Sequence, residues 1–326
     1  MKLRGNNFVI IGRAGMDLYP DPPGTRTEDA THFFTCLGGS SANIGVAITK
    51  LGGKASLVTR VADDAIGRFC CNQLDLYGID RTHVIAQGGQ ARNSLALVET
   101  RIEDHQSVIY RNGAADFEMT QADVEAVDFA TFDALITTGT VFAAEPSRSA
   151  AFRAFELAKS AGIPLIFDVD YRPYSWPSPD VAADVYSRAG AMCDVIVGND
   201  IEFGFMAGNY DQGLDKAREL VANGAKIAVY KMGEEGAITI TPEPEVRTGI
   251  YRTEALKPTG AGDSFMGGFV SGLTDGLSVS DAVLQGSAAA AMVVARVGCA
   301  PAMPTRSELD AFLNDHPGPT APSDPA

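Results

Sequence analysis

The sequence predicts an α/β protein with a mostly parallel central sheet, helices on both of its faces, and a second, smaller sheet set apart from it. Three observations predict this fold class. Short apolar runs rich in β-branched residues alternate with amphipathic stretches of helical period, which is typical of a parallel sheet covered by helices. Two further regions carry strand-like patterns without intervening helices. A length of 326 residues suits one large α/β domain or about two domains of ordinary size.

The alternation of strands and helices runs from near the N-terminus to about residue 231. It predicts strands at 8–12, 54–61, 134–138, 164–168, 195–198 and 225–231. It predicts helices at 41–51, 65–77, 147–161 and 211–223, with a later helix from about residue 263 to about residue 273. Because the carboxyl ends of parallel strands lie at one edge of a sheet, polar residues that follow these strands are expected to meet there.

The smaller sheet is predicted from the regions 32–37 and 93–110, where strand patterns follow one another without helices. The final stretch, 316–326, holds four prolines and no periodicity, which predicts a disordered tail. The predicted organisation is therefore one unit over residues 1–315 followed by this tail. The smaller sheet is drawn from segments within about 14–38 and 91–113 of that unit.

Charge and cysteine content narrow the class of partner. The chain has 41 acidic and 26 basic residues, a net charge of −15, and no compensating basic run, which argues against binding of nucleic acid or an anionic membrane. Its five cysteines have no CxxC spacing and its four histidines are scattered, so neither a disulfide framework nor a zinc site is expected. The apolar stretch near the N-terminus is too short for a signal peptide or a membrane span, so we expect a cytoplasmic protein.

The most informative segment is the run Lys-Pro-Thr-Gly-Ala-Gly-Asp-Ser-Phe at 257–265. Gly260, Ala261 and Gly262 form a small-residue turn at a predicted helix start, where free N–H groups can bind an anion. Asp263 follows at once, so its carboxylate could take a proton from a hydroxyl held beside a bound phosphate. By itself, the pattern fits equally well an ordinary glycine turn with an acidic residue that favours the helix dipole.

Further polar residues lie at other predicted strand ends, where a ligand could bind. Gly38 and Gly39 permit close approach of a ligand before a predicted helix, and Asn43 offers donors and acceptors to sugar hydroxyls. A serine helix cap is compatible with the same segment. The charged residues that follow predicted strands here are Asp17, Asp170 and Arg172.

A second group of residues suits a nucleotide. Lys231 ends a predicted strand, and Gly233 and Gly236 follow it closely, an arrangement suited to reaching phosphates. Asn199 follows another strand, and Glu202, three residues later, could hold magnesium through water because Mg²⁺ keeps much of its hydration shell. Each of these signals is weak when taken alone.

Taken in order, these motifs resemble the ribokinase-like (PfkB) family of carbohydrate kinases, and the resemblance covers residues 6 to 310. The family's glycine-rich N-terminal motif matches 38–43 and its N-x-x-E motif matches 199–202. Its G-x-x-G loop matches 233–236 and its G-A-G-D signature matches 260–263. Four separate motifs in the same order make the match specific. Neither a Walker A pattern nor the HRD and DFG patterns of protein kinases occur.

The resemblance implies a Rossmann-like α/β domain whose small sheet is a lid over a sugar, with ATP and Mg²⁺ as cofactors. It implies that Asp263 is the base for the sugar's primary hydroxyl and that the turn 260–262 stabilises the transferring phosphoryl group. It places Lys231 and Glu202 in nucleotide and magnesium handling, and the alanine-rich run 286–291 near the adenine. The remaining residues expected on the nucleotide side are Gly233, Gly236, Asn199, Thr259 and Ser287. The family resemblance leaves the oligomeric state open, with a homodimer among the alternatives.

One position departs from the family pattern. In many relatives an aspartate six residues before the catalytic aspartate helps to hold a monovalent cation, and here that position is Lys257. An ammonium group cannot ligate potassium, but it can replace the charge of the ion. A monovalent cation is therefore doubtful as a cofactor, and we predict weak or absent activation by potassium.

The segments 11–20, 110–112, 167–173 and 302–304 further resemble the members that phosphorylate 5-dehydro-2-deoxygluconate, an acidic keto-deoxy sugar of myo-inositol breakdown. A substrate carboxylate needs cationic partners, and Arg13, Arg111 and Arg172 fall at predicted strand ends or lid positions. The alternative substrate is 2-keto-3-deoxygluconate, with a neutral sugar such as fructose or ribose third. A non-catalytic sugar sensor is the alternative from another class, and the retention of Asp263 and Lys231 argues against it.

Overall fold

Two sheets organise the chain in this computed structural model, which describes residues 3–320. Within them the strands are β1 (Asn7–Ile11), β2 (Gly15–Asp21), β3 (His32–Gly38), β4 (Lys54–Ala62), β5 (Val84–Gln87), β6 (Leu95–Val98), β7 (Ser107–Tyr110), β8 (Ala134–Thr138), β9 (Leu165–Asp168), β10 (Val195–Asn199), β11 (Ile227–Lys231), β12 (Ala237–Ile240) and β13 (Val246–Thr248). The helices are α1 (Ser40–Lys50), α2 (Ala65–Leu76), α3 (Gln121–Glu125), α4 (Ser147–Ser160), α5 (Pro179–Gly190), α6 (Asp200–Ala207), α7 (Gly213–Ala222), α8 (Ala261–Asp275), α9 (Val279–Val294) and α10 (Arg306–Asp315).

The main sheet has nine strands in the order β13-β12-β11-β10-β9-β8-β1-β4-β5. The strands from β11 to β5 are all parallel, and β12 and β13 add an antiparallel edge. The predicted α/β class with a mostly parallel sheet is therefore confirmed. Every predicted strand and helix of the alternation is present, with bounds that differ by at most two residues.

The apolar side chains of the sheet divide between two cores, one on each face. Along β1 the side chains alternate, so that Phe8 and Ile10 belong to one core and Val9 and Ile11 to the other. The first core is completed by apolar residues of α1, α2, α8 and α9, and the second by those of α4 to α7. This double burial explains why the parallel strands read as continuous apolar runs.

The second sheet has four strands in the order β3-β2-β6-β7. Strand β2 pairs antiparallel with β3 and parallel with β6, and β6 pairs antiparallel with β7. Its residues come from 15–38 and 95–110, as the small sheet of the predicted fold class requires. Strand β2 was not predicted, because Pro20 and two aspartates interrupt an otherwise short apolar alternation.

Helices α5 and α6 of the second face were missed by the prediction, as was the short α3, although α5 and α6 each have a clear start signal. The side chain of Ser178 caps α5, which begins with a proline. Asn199 and Glu202 form a reciprocal capping box at the start of α6. No helix within residues 3–320 is both long and apolar enough to cross a membrane.

The predicted tail is only partly covered by the structure, because residues 321–326 lie outside the described range. The preceding residues have contacts with the body. His316 stacks on Phe312 with ring centroids 3.6 Å apart, and the Thr320 N–H donates to the carbonyl oxygen of Ile250 over 2.8 Å.

Candidate active site

A cavity of about 670 Å³ lies between the two sheets, a size typical of small-molecule sites. Its walls come from residues that follow β1, β9, β10 and β11, from the starts of α1 and α8, and from the second sheet through Ala96, Val98 and Ile109. Of the residues predicted as site residues, all but Gly38 and Arg111 line it. The lining set is Asp17, Gly39, Asn43, Asp170, Arg172, Asn199, Glu202, Lys231, Gly233, Gly236, Thr259, Gly260, Ala261, Gly262, Asp263 and Ser287.

Asp263 lies in the first turn of α8, where the helix begins without a side-chain cap. Gly260 is the N-cap residue and has a left-handed conformation with a φ of 88°, which glycine adopts without strain. A Cβ atom at this position would also lie 2.8 Å from the Cys299 sulfur. The N–H groups of the first turn have no helical partner and face an open cavity, so they can bind an anion there.

Asp263 has the electrostatic surroundings of a base. Burial, and after it the charge of the neighbouring Asp170, raise the pKa of its carboxyl from 3.8 to about 7. The hydrogen bond from Asn43 Nδ2 to Asp263 Oδ2, 3.0 Å long, and the charges of Arg172 and Arg13 act in the opposite direction. A carboxyl with a pKa near 7 is well placed to accept a proton at neutral pH.

Lys257 is fully buried, and its ammonium group donates to main-chain carbonyl oxygens instead of a carboxylate. Its Nζ lies 2.5 Å from the Thr259 oxygen and 3.4 Å from the Val293 oxygen. Val293 belongs to the last turn of α9, where carbonyl groups lack helical partners and carry partial negative charge. The lysine therefore connects the end of α9 to the turn that starts α8.

Lys231 ends β11 beside that same turn. A Cβ atom placed on Gly262 would lie 3.8 Å from its Nζ, and Nζ lies 5.2 Å from the ring centroid of Phe265. Asp168, at the end of β9, lines the same side of the cavity. Burial raises the pKa of its carboxyl well above 3.8, although the positive charge of Lys231 acts to lower that pKa. The arrangement places one cation and one acid next to the anion-binding helix start.

Glu202 connects two segments of the cavity wall. Its Oε2 accepts the Asn199 N–H over 2.8 Å, and its Oε1 accepts the Tyr171 N–H over 3.1 Å. Asn199 Oδ1 accepts the Glu202 N–H in return, also over 2.8 Å. Each carboxylate oxygen thus accepts one main-chain N–H group, which fixes the carboxylate at the cavity wall. A contact to magnesium through water is compatible with this arrangement.

The acidic side chains of this side fit a magnesium ion that is held chiefly by phosphate and water. Mg²⁺ sites of this kind use one or two carboxylates, and Glu202 and Asp168 both line the cavity near Lys231. Within residues 3–320, no three His, Cys, Asp or Glu side chains form a metal site on their own. Phosphate oxygens and water would therefore complete the coordination.

On the substrate side, Asp17 and Asp170 face the cavity from the two halves of the fold. Burial raises the pKa of the Asp17 carboxyl to about 6. Gly38 lies behind Asp17, where a Cβ atom would overlap its carboxylate, so the glycine allows the aspartate its position without lining the cavity. Asp170 accepts a hydrogen bond from Ser40 Oγ over 2.6 Å and forms an ion pair of 2.7 Å with Arg172.

The three arginines that the sequence offers for a substrate carboxylate have different surroundings. Arg111 is buried, forms an ion pair with the equally buried Asp116, and donates to the carbonyl oxygen of Thr140 over 3.1 Å. It does not line the cavity, so the geometry does not favour its predicted role in substrate binding. Arg172 lines the cavity but is paired with Asp170, whereas Arg13 lines it and forms no ion pair with an acid of residues 3–320.

The remaining predicted residues line the part of the cavity that the family resemblance assigns to the nucleotide. Gly233 and Gly236 flank the turn between β11 and β12, and Thr259 precedes the N-cap of α8. Ser287 lies on α9, where its Oγ accepts the Tyr251 N–H over 3.3 Å, and Val283 and Ala290 line the cavity beside it. Asp168 is the residue of this side that the predicted set omitted, although its position at a strand end was visible in the sequence.

Comparison with known proteins agrees with this geometry. A model of the pfkB family of carbohydrate kinases matches residues 6–306. A 5-dehydro-2-deoxygluconokinase from Photobacterium profundum is 37% identical over 311 residues, which is 94% of each chain. An enzyme of the same name from Geobacillus kaustophilus is 35% identical over 315 residues, covering 95% of this chain and 94% of the relative.

Solved structures give the same fold. The fructokinase double mutant from Vibrio cholerae O395, in its fructose-, ADP- and potassium-bound form, superposes with a TM-score of 0.82. It is 25% identical, and the match covers 96% of this chain and 99% of that one. The topology with a central sheet and a small second sheet is therefore shared with a sugar kinase.

Proposed function

The chain belongs to the pfkB family of carbohydrate kinases, and on that premise we propose that it transfers the γ-phosphoryl group of ATP to the primary hydroxyl of 5-dehydro-2-deoxygluconate. The observation that carries this proposal is the 37% identity to a 5-dehydro-2-deoxygluconokinase over 94% of both chains. The cavity supports it, because a carboxyl with a raised pKa lies at an uncapped helix start. The product would be 5-dehydro-2-deoxygluconate 6-phosphate, an intermediate of myo-inositol catabolism.

In the proposed reaction, Asp263 accepts the proton of the C6 hydroxyl while the hydroxyl oxygen bonds to the γ-phosphorus. The bond from that phosphorus to the oxygen bridging to the β-phosphate breaks, and ADP leaves with the electron pair. The N–H groups of the turn Gly260, Ala261 and Gly262 stabilise the charge on the transferring group, and Lys231 adds a positive charge beside them. Asn43 orients the base through its hydrogen bond to Asp263 Oδ2.

On the substrate side we assign hydroxyl and carbonyl recognition to residues whose polar atoms face the cavity. Asp17 and Asp170 supply acceptors, and Arg172, held by Asp170, supplies a charged donor. Gly39 allows close approach at the start of α1, and Gly38 makes room for the Asp17 carboxylate. Substrate binding by Arg111 stays a prediction from the sequence, and the ion pair of Arg111 with Asp116 argues against it.

On the nucleotide side we assign ATP binding to residues around the ends of β10 and β11 and to α9. These residues are Asn199, Lys231, Gly233, Gly236, Thr259 and Ser287. When bound, magnesium would neutralise part of the phosphate charge, and Glu202 and Asp168 are the residues placed to hold it, Glu202 through water. A cytoplasmic location stays a prediction from the sequence, and the oligomeric state stays open, with a homodimer among the alternatives.

The proposal is tested by measuring ATP consumption by the purified protein with magnesium and four sugars in parallel. The sugars are 5-dehydro-2-deoxygluconate, 2-keto-3-deoxygluconate, fructose and ribose. We expect kcat/KM for the first to exceed that for each of the others by about tenfold or more, a difference of roughly 1.4 kcal/mol in transition-state binding. Product identity is checked by phosphorus NMR of the sugar phosphate.

Two results would contradict the proposal in different ways. If the enzyme prefers 2-keto-3-deoxygluconate, the proposed mechanism of phosphoryl transfer stands, but the proposed substrate and its place in myo-inositol catabolism are wrong. Absence of turnover with all four sugars, from protein that binds ATP, would favour a sugar sensor of the same fold.

A further inference from the structure

Arg13 is a buried cation of the cavity wall that forms no ion pair with an acid of residues 3–320. Only 7% of its surface is exposed, and that part faces the cavity. Its Nη1 donates to Ser94 Oγ over 3.1 Å, and its Nε, also buried, has no acceptor within the described chain. A buried guanidinium is ordinarily paired or fully hydrogen-bonded, so this side chain is poised for a ligand.

The two neighbouring arginines each form an ion pair with an aspartate. Arg111 has Asp116, and Arg172 has Asp170. Arg13 has no carboxylate oxygen within 4.0 Å in the described chain, although Asp17 and Asp170 contribute to its electrostatic surroundings. Burial, and after it the nearby Arg111, lower the pKa of the Arg13 guanidinium, whereas the charges of Asp170, Asp116 and Asp17 oppose this.

The direction of the missing partner follows from the one bond that Arg13 makes. Since Nη1 is held by Ser94, the edge formed by Nε and Nη2 stays without an acceptor among residues 3–320. Two N–H groups along one edge of a guanidinium match the two oxygens of a carboxylate. A neutral hydroxyl would fill only part of this edge and would form no ion pair with the guanidinium.

We propose that Arg13 binds the carboxylate of the sugar acid and thereby selects acidic over neutral substrates. This inference rests on the proposed function, since it assigns one end of the proposed substrate. The carboxylate at C1 and the reacting hydroxyl at C6 are opposite ends of the same molecule. Arg13, which follows β1, and Asp263, at the start of α8, therefore hold the two ends from different walls of the cavity.

The test compares 5-dehydro-2-deoxygluconate with its neutral C1 amide, in the wild type and in Arg13→Met. The amide keeps the shape and the C6 hydroxyl but removes the charge. We expect Arg13→Met to lower kcat/KM for the acid by roughly 10- to 150-fold, the range for a hydrogen bond to a charged group. The loss falls mainly on KM because the contact is remote from the reacting atoms, and the amide changes by less than about threefold.

Arg68→Met is the matched control, because Arg68 is an exposed arginine of α2 that does not line the cavity. It should leave both substrates unaffected. Arg13→Lys keeps the buried charge but offers a single point donor, so the preference for the acid should shrink and still persist. This variant also covers the case in which Arg13→Met does not fold.

The outcomes separate the two proposals. A wild type that uses the amide as well as the acid overturns the proposed acidic substrate, and the role of Arg13 with it. A wild type that prefers the acid, combined with equal losses on both substrates in Arg13→Met, overturns the role of Arg13 alone. If Arg13→Lys and Arg13→Met both keep the full preference for the acid over the amide, the role of Arg13 is likewise overturned.

Discussion

Asp263, the proposed catalytic base, is also part of a hydrogen-bonded pair with Asn43. Its carboxylate is held by Asn43 and faces the cavity from an uncapped helix start. Asp263→Asn keeps the size of the side chain but removes the base, so we predict a fall in kcat of about two to four decades. Isothermal titration should show that sugar and nucleotide still bind, and unchanged turnover would remove Asp263 from the role of base.

The same residue fixes the acid limb of the pH profile of the wild type. Because the pKa of its carboxyl is raised to about 7, the base becomes protonated as the pH falls through that value. In the free enzyme, kcat/KM should therefore fall on the acid side of about pH 7. Initial rates between pH 5 and pH 9 measure this, and a profile that stays flat down to about pH 5 would contradict it.

Residue types were readable from the sequence, but their partners were not. Local patterns predicted the helix start at Asp263 and the strand end at Lys231, and both residues line the cavity. Asp17 lines it as well, but from within β2 and not from the end of β1 as the sequence predicted. Arg111 has an equally suggestive local pattern, yet its partner Asp116 satisfies it away from the cavity. Pairing of this kind depends on how the chain folds back on itself, which no local pattern encodes.

At the scale of elements, Lys257 joins the last turn of α9 to the first turn of α8. Its ammonium group is buried and already satisfies the carbonyl oxygens of Thr259 and Val293. We predict that potassium activates the wild type less than about twofold. The reason is that the ammonium group of Lys257 repels a cation at the position where potassium would otherwise bind. The measurement is initial rate against potassium concentration, with sodium or choline keeping the ionic strength constant.

The variant Lys257→Met sharpens this prediction. It removes the charge and leaves two buried carbonyl oxygens without this donor, which should lower both the melting temperature and kcat. A rate that rises steeply with potassium in the wild type would contradict the idea that the lysine replaces the ion.

Element positions were largely predictable because each main-sheet strand carries a full apolar run between turn signals. The parallel strands are buried on both faces, so their composition alone reveals them. Strand β2 and the strands β5, β12 and β13 near the edges of the main sheet were not predicted, because they are short and polar in part. Burial of Lys257 was equally out of reach, since lysine is ordinarily a surface residue.

At the scale of the whole molecule, the buried acids of the cavity set the pH dependence of stability. The pKa values of Asp17 and Asp263 are raised to about 6 and about 7, above the 3.8 of an unfolded chain. Such groups stabilise the fold while protonated, and this contribution is lost as the pH rises through those values. Acids with lowered pKa values, such as Asp123 and Glu308, act oppositely and lose their contribution only at lower pH.

We therefore predict that the ligand-free protein is more stable near pH 5.5 than near pH 8. Replacing Asp263 by Asn removes one of the responsible groups and should stabilise the protein at pH 8 by roughly 1–3 kcal/mol, with a smaller difference at pH 5.5. Urea unfolding of both proteins at the two pH values measures this. A wild type that is more stable at pH 8 would show that these carboxyls do not dominate.

Glu202 gives the molecule a further property, because a single carboxylate spans segments that serve different ligands. One of its oxygens holds the Asn199 N–H on the nucleotide side, and the other holds the Tyr171 N–H beside Asp170 on the sugar side. We therefore expect a shift of either segment on ligand binding to move this carboxylate and so to affect the other segment. Thermodynamic linkage makes the effect mutual: the factor by which sugar changes nucleotide affinity equals the factor by which nucleotide changes sugar affinity.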